Sequence, residues 1–189
     1  MELFTSREIK EIIISVLVIT FIFSFPRFET FPIYLLVVIT AFLFHELAHK
    51  FVARKFGCAA FYRAWYPGLI FAVLITLASL GSFKFVAPGA VVIYPYTFGR
   101  WGFRMAALTV NEMGIIAFAG PATNLLLALI FSLIPGSIAR IIAFANAWLA
   151  LFNLLPIKPL DGSKIMLWKV WVWVVMFIIS IVMVIFYLV

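Results

Sequence analysis

The sequence predicts an all-α polytopic membrane protein of about six transmembrane segments, with a short extended or re-entrant β-like stretch near residues 82–97. Three observations carry this. Hydrophobic residues make up 67% of the 189 positions and charged residues only 11%, against roughly 25% charged in a soluble domain. Such a chain cannot cover itself with a water-facing surface. Apolar runs near the ~20 residues needed to cross a bilayer recur along it. Between two of them, "GSFKFVAPGAVVIYPYTFGR" is rich in β-branched and aromatic residues and broken by Pro88 and Pro95, which argues for strands or a re-entrant loop.

The apolar segments run from about Ile9 to Phe25, closed by Pro26, then Pro32 to Phe56 and Gly68 to Leu80. The third is short for a span. Met113 to Ile134, Ile138 to Leu155 and Ile165 to Val189 complete the set. Length alone suits one domain, so residues 1–189 are expected to form a single transmembrane domain without an appended soluble domain. The net charge of +7 excludes little by itself. Its basic residues fall in short clusters between apolar runs, a pattern of topology signals and anionic-headgroup contacts rather than of nucleic-acid binding. Cys58 is the single cysteine, so no internal disulfide can form. The N-terminus lacks the pattern of a cleaved signal.

The distribution of basic residues also sets an expected topology. Let the N-terminus be cytoplasmic, and let residues 68–98 dip in and return to the same side. Then Arg7, Lys10, Lys50, Arg54, Lys55, Arg63, Arg100, Arg104, Lys158, Lys164 and Lys169 share the cytoplasmic side. Arg27 and Arg140 lie opposite, with Lys84 near the tip of the dip. A single crossing through 68–98 would move the later clusters outside. Trp168, Trp171 and Trp173, near the start of the last span, fit an interfacial aromatic belt.

Within the second apolar run stands "HELAH", residues 45–49. Four residues apart on a helix, His45 and His49 project from one face about a turn from each other. Both imidazoles can then reach one metal ion, while Glu46 can approach a water at that ion without ligating it. This is the residue pattern of metal-assisted hydrolysis, with a carboxylate to take the proton of the attacking water. Zinc suits such nitrogen and oxygen donors. A pair of merely buried histidines is the plain alternative, but these are the only two in the chain, and ionisable groups at membrane depth are costly. Counting 1.5 Å per residue from Pro32 puts His45 about 20 Å into a core of roughly 30 Å.

A third protein ligand must come from elsewhere. Glu2, Glu8, Glu11 and Glu29 read as terminal or loop residues, and Glu112 precedes the fourth span. Asp161 is the only aspartate, in "NLLPIKPLDGSKI", where Pro156 and Pro159 interrupt an apolar helix. A helix broken at membrane depth is tolerated where it lines a cavity. Asp161 could bring a carboxylate to the histidines there, serve as a helix N-cap, or do both.

"HELAH", "AGPATN" (119–124) and "NLLPIKPLDG" (153–162), in that order, resemble the site-2 protease family of intramembrane zinc metalloproteases. The resemblance spans about residues 33–165. It implies one Zn2+ held by His45, His49 and Asp161, with Glu46 as catalytic base, and proteolysis in or near transmembrane segments of membrane-protein substrates. It implies that Asn153 binds substrate backbone, with a polar contact between packed helices as the alternative. Gly120 and Pro121 match the family's membrane core and are explained by close helix packing. HELAH carries Ala48 where many members have Gly, which leaves the ligands intact. The extended stretch offers an edge to which an unwound substrate could add as a strand, or else is a structural loop. Two other classes stay open: a metal transporter, and a non-catalytic membrane-protein binding member of the family.

Overall fold

In the computed structural model, helices occupy all six apolar segments. Residues 3–84, 86–99, 102–105 and 107–188 are described; Glu2, Phe85, Arg100 and Val189 lie outside them. Helix α1 is Ser6–Ser24, capped by the Thr5 side chain, which accepts from Glu8 N. Helix α2, Phe31–Val38, passes through a π-helical turn, Ile39–Leu43, into α3, Phe44–Lys55. Then come α4 (Tyr66–Ala78), α5 (Val110–Ser132), α6 (Ser137–Asn153), α7 (Asp161–Trp168) and α8 (Val170–Leu188). The last apolar segment is therefore two helices, broken where Lys169 takes an extended backbone.

Three helical stretches are long and apolar enough to cross a membrane: Phe28–Lys55, Val110–Ser132 and Val170–Leu188. Tyr66–Ala78 and Ser137–Asn153 are apolar but shorter. Helix α1 has the length, yet Arg7, Glu8, Lys10 and Glu11 crowd its first two turns.

The β structure extends beyond residues 82–97 on both sides. Strand β1, Ala59–Ala64, pairs antiparallel with β2, Gly89–Tyr94, in a register that sets Tyr62 opposite Val91 and Ala64 opposite Gly89. Strands β3 (Tyr96–Gly99) and β4 (Gly102–Met105) form a second antiparallel pair. The segment from residue 65 to 88 is a closed excursion. Trp65 N donates to Pro88 O at 2.8 Å where it leaves and returns. Its tip reaches the far end of α1, where Lys84 Nζ donates to Phe23 O at 2.7 Å.

Glu8 and Glu11 are not loop carboxylates. Both are buried on α1, and they fill the outer edge of β1. Tyr62 N donates to Glu8 Oε1 at 2.9 Å and Ala64 N to Glu11 Oε2 at 3.1 Å. Glu8 also receives Lys50 Nζ at 2.5 and 2.6 Å. Lys50 is thus buried within the fold. One ion pair ties the N-terminal helix, the sheet and the HELAH helix together. Two of the three tryptophans bond within the fold: Trp168 Nε1 donates to Asn111 Oδ1 and Trp173 Nε1 to Leu154 O, each at 2.7 Å. Trp171 is exposed.

Removing one member of a buried ion pair leaves the other charge uncompensated, at a cost of about 3–5 kcal/mol. Lys50→Met is expected to lower unfolding stability in detergent by that order. Glu8→Gln combined with Lys50→Met is expected to regain much of the loss, because a Gln carbonyl can still accept from Tyr62 N. Reversible unfolding of the two variants, followed by tryptophan fluorescence, checks this.

Candidate metal centre

The site forms where α3 and α5 run antiparallel. His45 meets Asn124 and His49 meets Ile116, so the two helices pass in opposite directions. Ile116, Gly120 and Asn124 are spaced four apart and share one face of α5. Each contributes differently. Ile116 O accepts from His49 Nδ1 at 2.7 Å, and Asn124 Oδ1 accepts from His45 Nδ1 at 2.5 Å. Gly120 leaves room for the rings: a Cβ built there would collide with His49 Nε2 and His45 Cε1. Pro121 cannot donate within α5 and opens the same turn.

Asn124 is completely buried and fully engaged. Its Nδ2 donates to Ala41 O and to Asn146 Oδ1, both at 2.9 Å, and Asn146 Nδ2 donates in turn to Ile142 O at 2.9 Å. The Ala41 carbonyl belongs to the π turn, where the widened register changes how backbone carbonyls pair; such turns recur at functional sites. With both Asn124 protons given to acceptors, its oxygen must face His45.

These bonds fix the tautomers. Ile116 O can only accept, and Asn124 presents an oxygen, so each Nδ1 carries the proton. In a neutral imidazole the lone pair then sits on Nε2. The two Nε2 atoms are 3.0 Å apart. Asp161 Oδ2 lies 3.0 Å from His49 Nε2 and 3.3 Å from His45 Nε2. All three residues are buried.

Three acceptor atoms therefore converge on one point. Their spacing approaches the roughly 3.3 Å edge of a tetrahedron with bonds of about 2.0–2.1 Å, the zinc–nitrogen and zinc–oxygen lengths. The chemistry of the donors and their separations fit a zinc ion.

Asp161 reaches this point from the start of α7. It is the first helical residue and makes no cap bond, Leu160 being the N-cap; the capping alternative fails. Gly162 lets this turn abut the end of α6, since a Cβ there would meet the Leu154 and Leu155 carbonyls. The second Asp161 oxygen, Oδ1, is 3.5 Å from Lys164 Nζ. Glu46 follows His45 on α3, and its Oε2 accepts from Val91 N of β2 at 3.0 Å. The sheet edge thereby holds the carboxylate beside the histidines. Asn153 Nδ2 donates to Leu149 O at 3.0 Å within its own helix.

Sequence reasoning brought His45, His49 and Asp161 together, and they meet. It did not single out Asn124, although "AGPATN" contains it, and it assigned Gly120 only to helix packing. The four-residue spacing of Gly120 and Asn124 was the available signal. A second partner on a metal-ligand histidine is typically worth 10–100-fold in metal affinity. Asn124→Ala is accordingly expected to weaken zinc binding by about that factor, with Asn124→Asp losing less. Zinc retention against a graded chelator measures both.

Similarity to known proteins agrees with this donor set. In an alignment of 183 positions that covers 91% of its length, the chain is 43% identical to "Putative zinc metalloprotease MJ0611" of Methanocaldococcus jannaschii, covering 90% of that protein. It is 28% identical over 161 residues to "Putative zinc metalloprotease YwhC" of Bacillus subtilis, spanning 76% of this chain and 71% of the relative. "Putative zinc metalloprotease Rip3" of Mycobacterium tuberculosis is 30% identical over 146 residues, 71% of this chain but 30% of Rip3. No family model and no solved structure matches the chain. A relative at 43% identity across nine-tenths of both chains, named for zinc and proteolysis, joins the HELAH, AGPATN and LDG segments that build the centre: the chain belongs to the site-2 protease family of zinc metalloproteases.

Proposed function

We propose that this protein is an intramembrane zinc metalloprotease, hydrolysing peptide bonds in or near the transmembrane helices of membrane-protein substrates. The observation that carries the reading is the buried convergence of His45 Nε2, His49 Nε2 and Asp161 Oδ2 beside Glu46. In it, those three residues hold one Zn2+ and Glu46 is the catalytic base. Zinc, when bound, supplies Lewis acidity toward water and the scissile carbonyl.

The protein's own groups do the rest. Glu46 accepts a proton from the attacking water as the water oxygen bonds to the carbonyl carbon. It returns that proton to the departing amine as the C–N bond breaks, so it ends the cycle ionised. Asn124 and Ile116 O keep both imidazoles in the tautomer that presents Nε2. The packed α3–α5–α7 core limits bulk water around them.

A helical substrate must unwind before its carbonyls are accessible, and β2 offers a place for the unwound chain. Among the described residues no strand pairs with its second edge. Val91 N points to that edge, toward Glu46, and by alternation Ile93 N does too. In this reading the substrate adds there by main-chain hydrogen bonds, next to the base. Asn153 would join as a substrate contact by giving up its bond to Leu149. The N-terminus and the opening of the site face the cytoplasm, an orientation favoured by the basic clusters and by the closed excursion of residues 65–88.

Two outcomes test this. Glu46→Gln is expected to lower cleavage of a transmembrane peptide in proteoliposomes by about 10²–10⁴-fold while one zinc per chain stays bound. Persistent cleavage would remove Glu46 from the mechanism, and zinc-dependent transport without cleavage would favour a carrier. Ile93→Pro deletes an outward N–H and leaves the β1–β2 ladder intact. It should raise KM for that peptide with little change in kcat, whereas an unchanged KM would reject docking on this edge.

A further inference from the structure

Amide hydrolysis places negative charge on the carbonyl oxygen as water adds, and a positioned donor aimed at that oxygen is worth about 10²–10³-fold in rate. The histidines cannot be that donor here. Their Nδ1 atoms are committed to Asn124 and Ile116, and their Nε2 atoms face Asp161. Tyr62 is committed as well, its hydroxyl donating to Pro88 O and accepting from Ser15 Oγ. Lys50 is consumed by both oxygens of Glu8.

Lys164 differs from all of these. It sits one turn beyond Asp161 on the same face of α7, with Nζ 3.5 Å from Asp161 Oδ1 and a side chain 40% exposed. That separation exceeds the 2.7–2.9 Å typical of a charge-assisted hydrogen bond, so the ammonium is held near the cluster without being spent on it. Its three protons can turn to a ligand. One partly exposed cation thus stands beside the Asp161 carboxylate of the centre.

We propose that Lys164 is a catalytic residue that donates a hydrogen bond to the oxygen of the scissile carbonyl as the tetrahedral adduct forms. This rests on the protease reading above and adds to it the group that stabilises the adduct. No proton leaves Lys164. The water oxygen bonds to carbon, its proton passes through Glu46 to the amine, the C–N bond breaks, and the ammonium only follows the charge on the oxygen.

The test uses the full chain in proteoliposomes with a transmembrane peptide and a phosphinic-peptide analogue, whose tetrahedral anionic centre resembles the adduct. Lys164→Met is expected to lower kcat about 100-fold, with KM changed less than about twofold and zinc content and chelator resistance as in the unsubstituted protein. Analogue affinity should fall by a similar factor, while affinity for the ground-state product peptide stays the same. Lys164→Arg should recover most of both losses. Unchanged kcat and analogue affinity in Lys164→Met would overturn the assignment. So would a loss of zinc that accounts for the lost activity, because Lys164 would then merely hold Asp161 in place. A wild-type chain that retains zinc and cleaves nothing would instead defeat the protease reading itself.

Discussion

Three lone-pair-bearing atoms pointed at one another in a buried place are the constraint from which the rest of this structure follows. With both Nδ1 protons committed to fixed acceptors, two imidazole nitrogens and a carboxylate oxygen crowd within about a hydrogen-bond length, and neutral rings bring no proton to share. Apolar surroundings worsen that repulsion, because they offer no water to solvate the acceptors. A divalent cation turns the same arrangement into an attraction. The formal charges of Zn2+, Asp161 and Glu46 also cancel, which lowers the cost of keeping them in a low-dielectric interior.

Holding such an arrangement requires rigidity from several directions, and the chain supplies it by local irregularities in its helices. A π turn precedes HELAH, Gly120 and Pro121 lie within α5, and the last apolar segment breaks so that α7 can begin with Asp161. Each irregularity would weaken an ordinary helix. Together they bring Ala41 O, Asn124 and the two rings into register. The Glu8–Lys50 pair anchors the other side of α3 to the sheet, and the sheet in turn holds Glu46 through Val91. Positioning of Glu46 and integrity of the N-terminal helix are thereby coupled.

Much of the centre was legible because its logic is local or scarce. The spacing of His45 and His49 follows from helix geometry, and Asp161 stands alone as an aspartate. Positions of the apolar segments followed from composition, and helices fill them. Less could be read where meaning depends on a distant partner. A polar residue in an apolar helix, such as Asn124, reads as a packing contact until its neighbour is known. Lys50 reads as a topology charge and Glu8 as a terminal residue because nothing local reveals that they satisfy each other, or that Glu8 and Glu11 accept from the edge of β1. Strand β1 itself was hidden: "AAFYRA" is short, and its partner lies thirty residues on, beyond an intervening helix. Among the described residues, three helical stretches have the length and composition to cross a membrane. The shorter helices α6 and α7 pack against α5 and α8, and α4 packs against α1.

The most direct measurement is zinc K-edge X-ray absorption on the purified protein. The geometry predicts a zinc environment of two imidazole nitrogens and carboxylate or water oxygens at about 2.0–2.1 Å, with the imidazole scattering lost together with the metal on His45→Ala. Scattering from sulfur at about 2.3 Å, or stoichiometric zinc whose environment is untouched by substitution at His45, would contradict it and place the metal elsewhere.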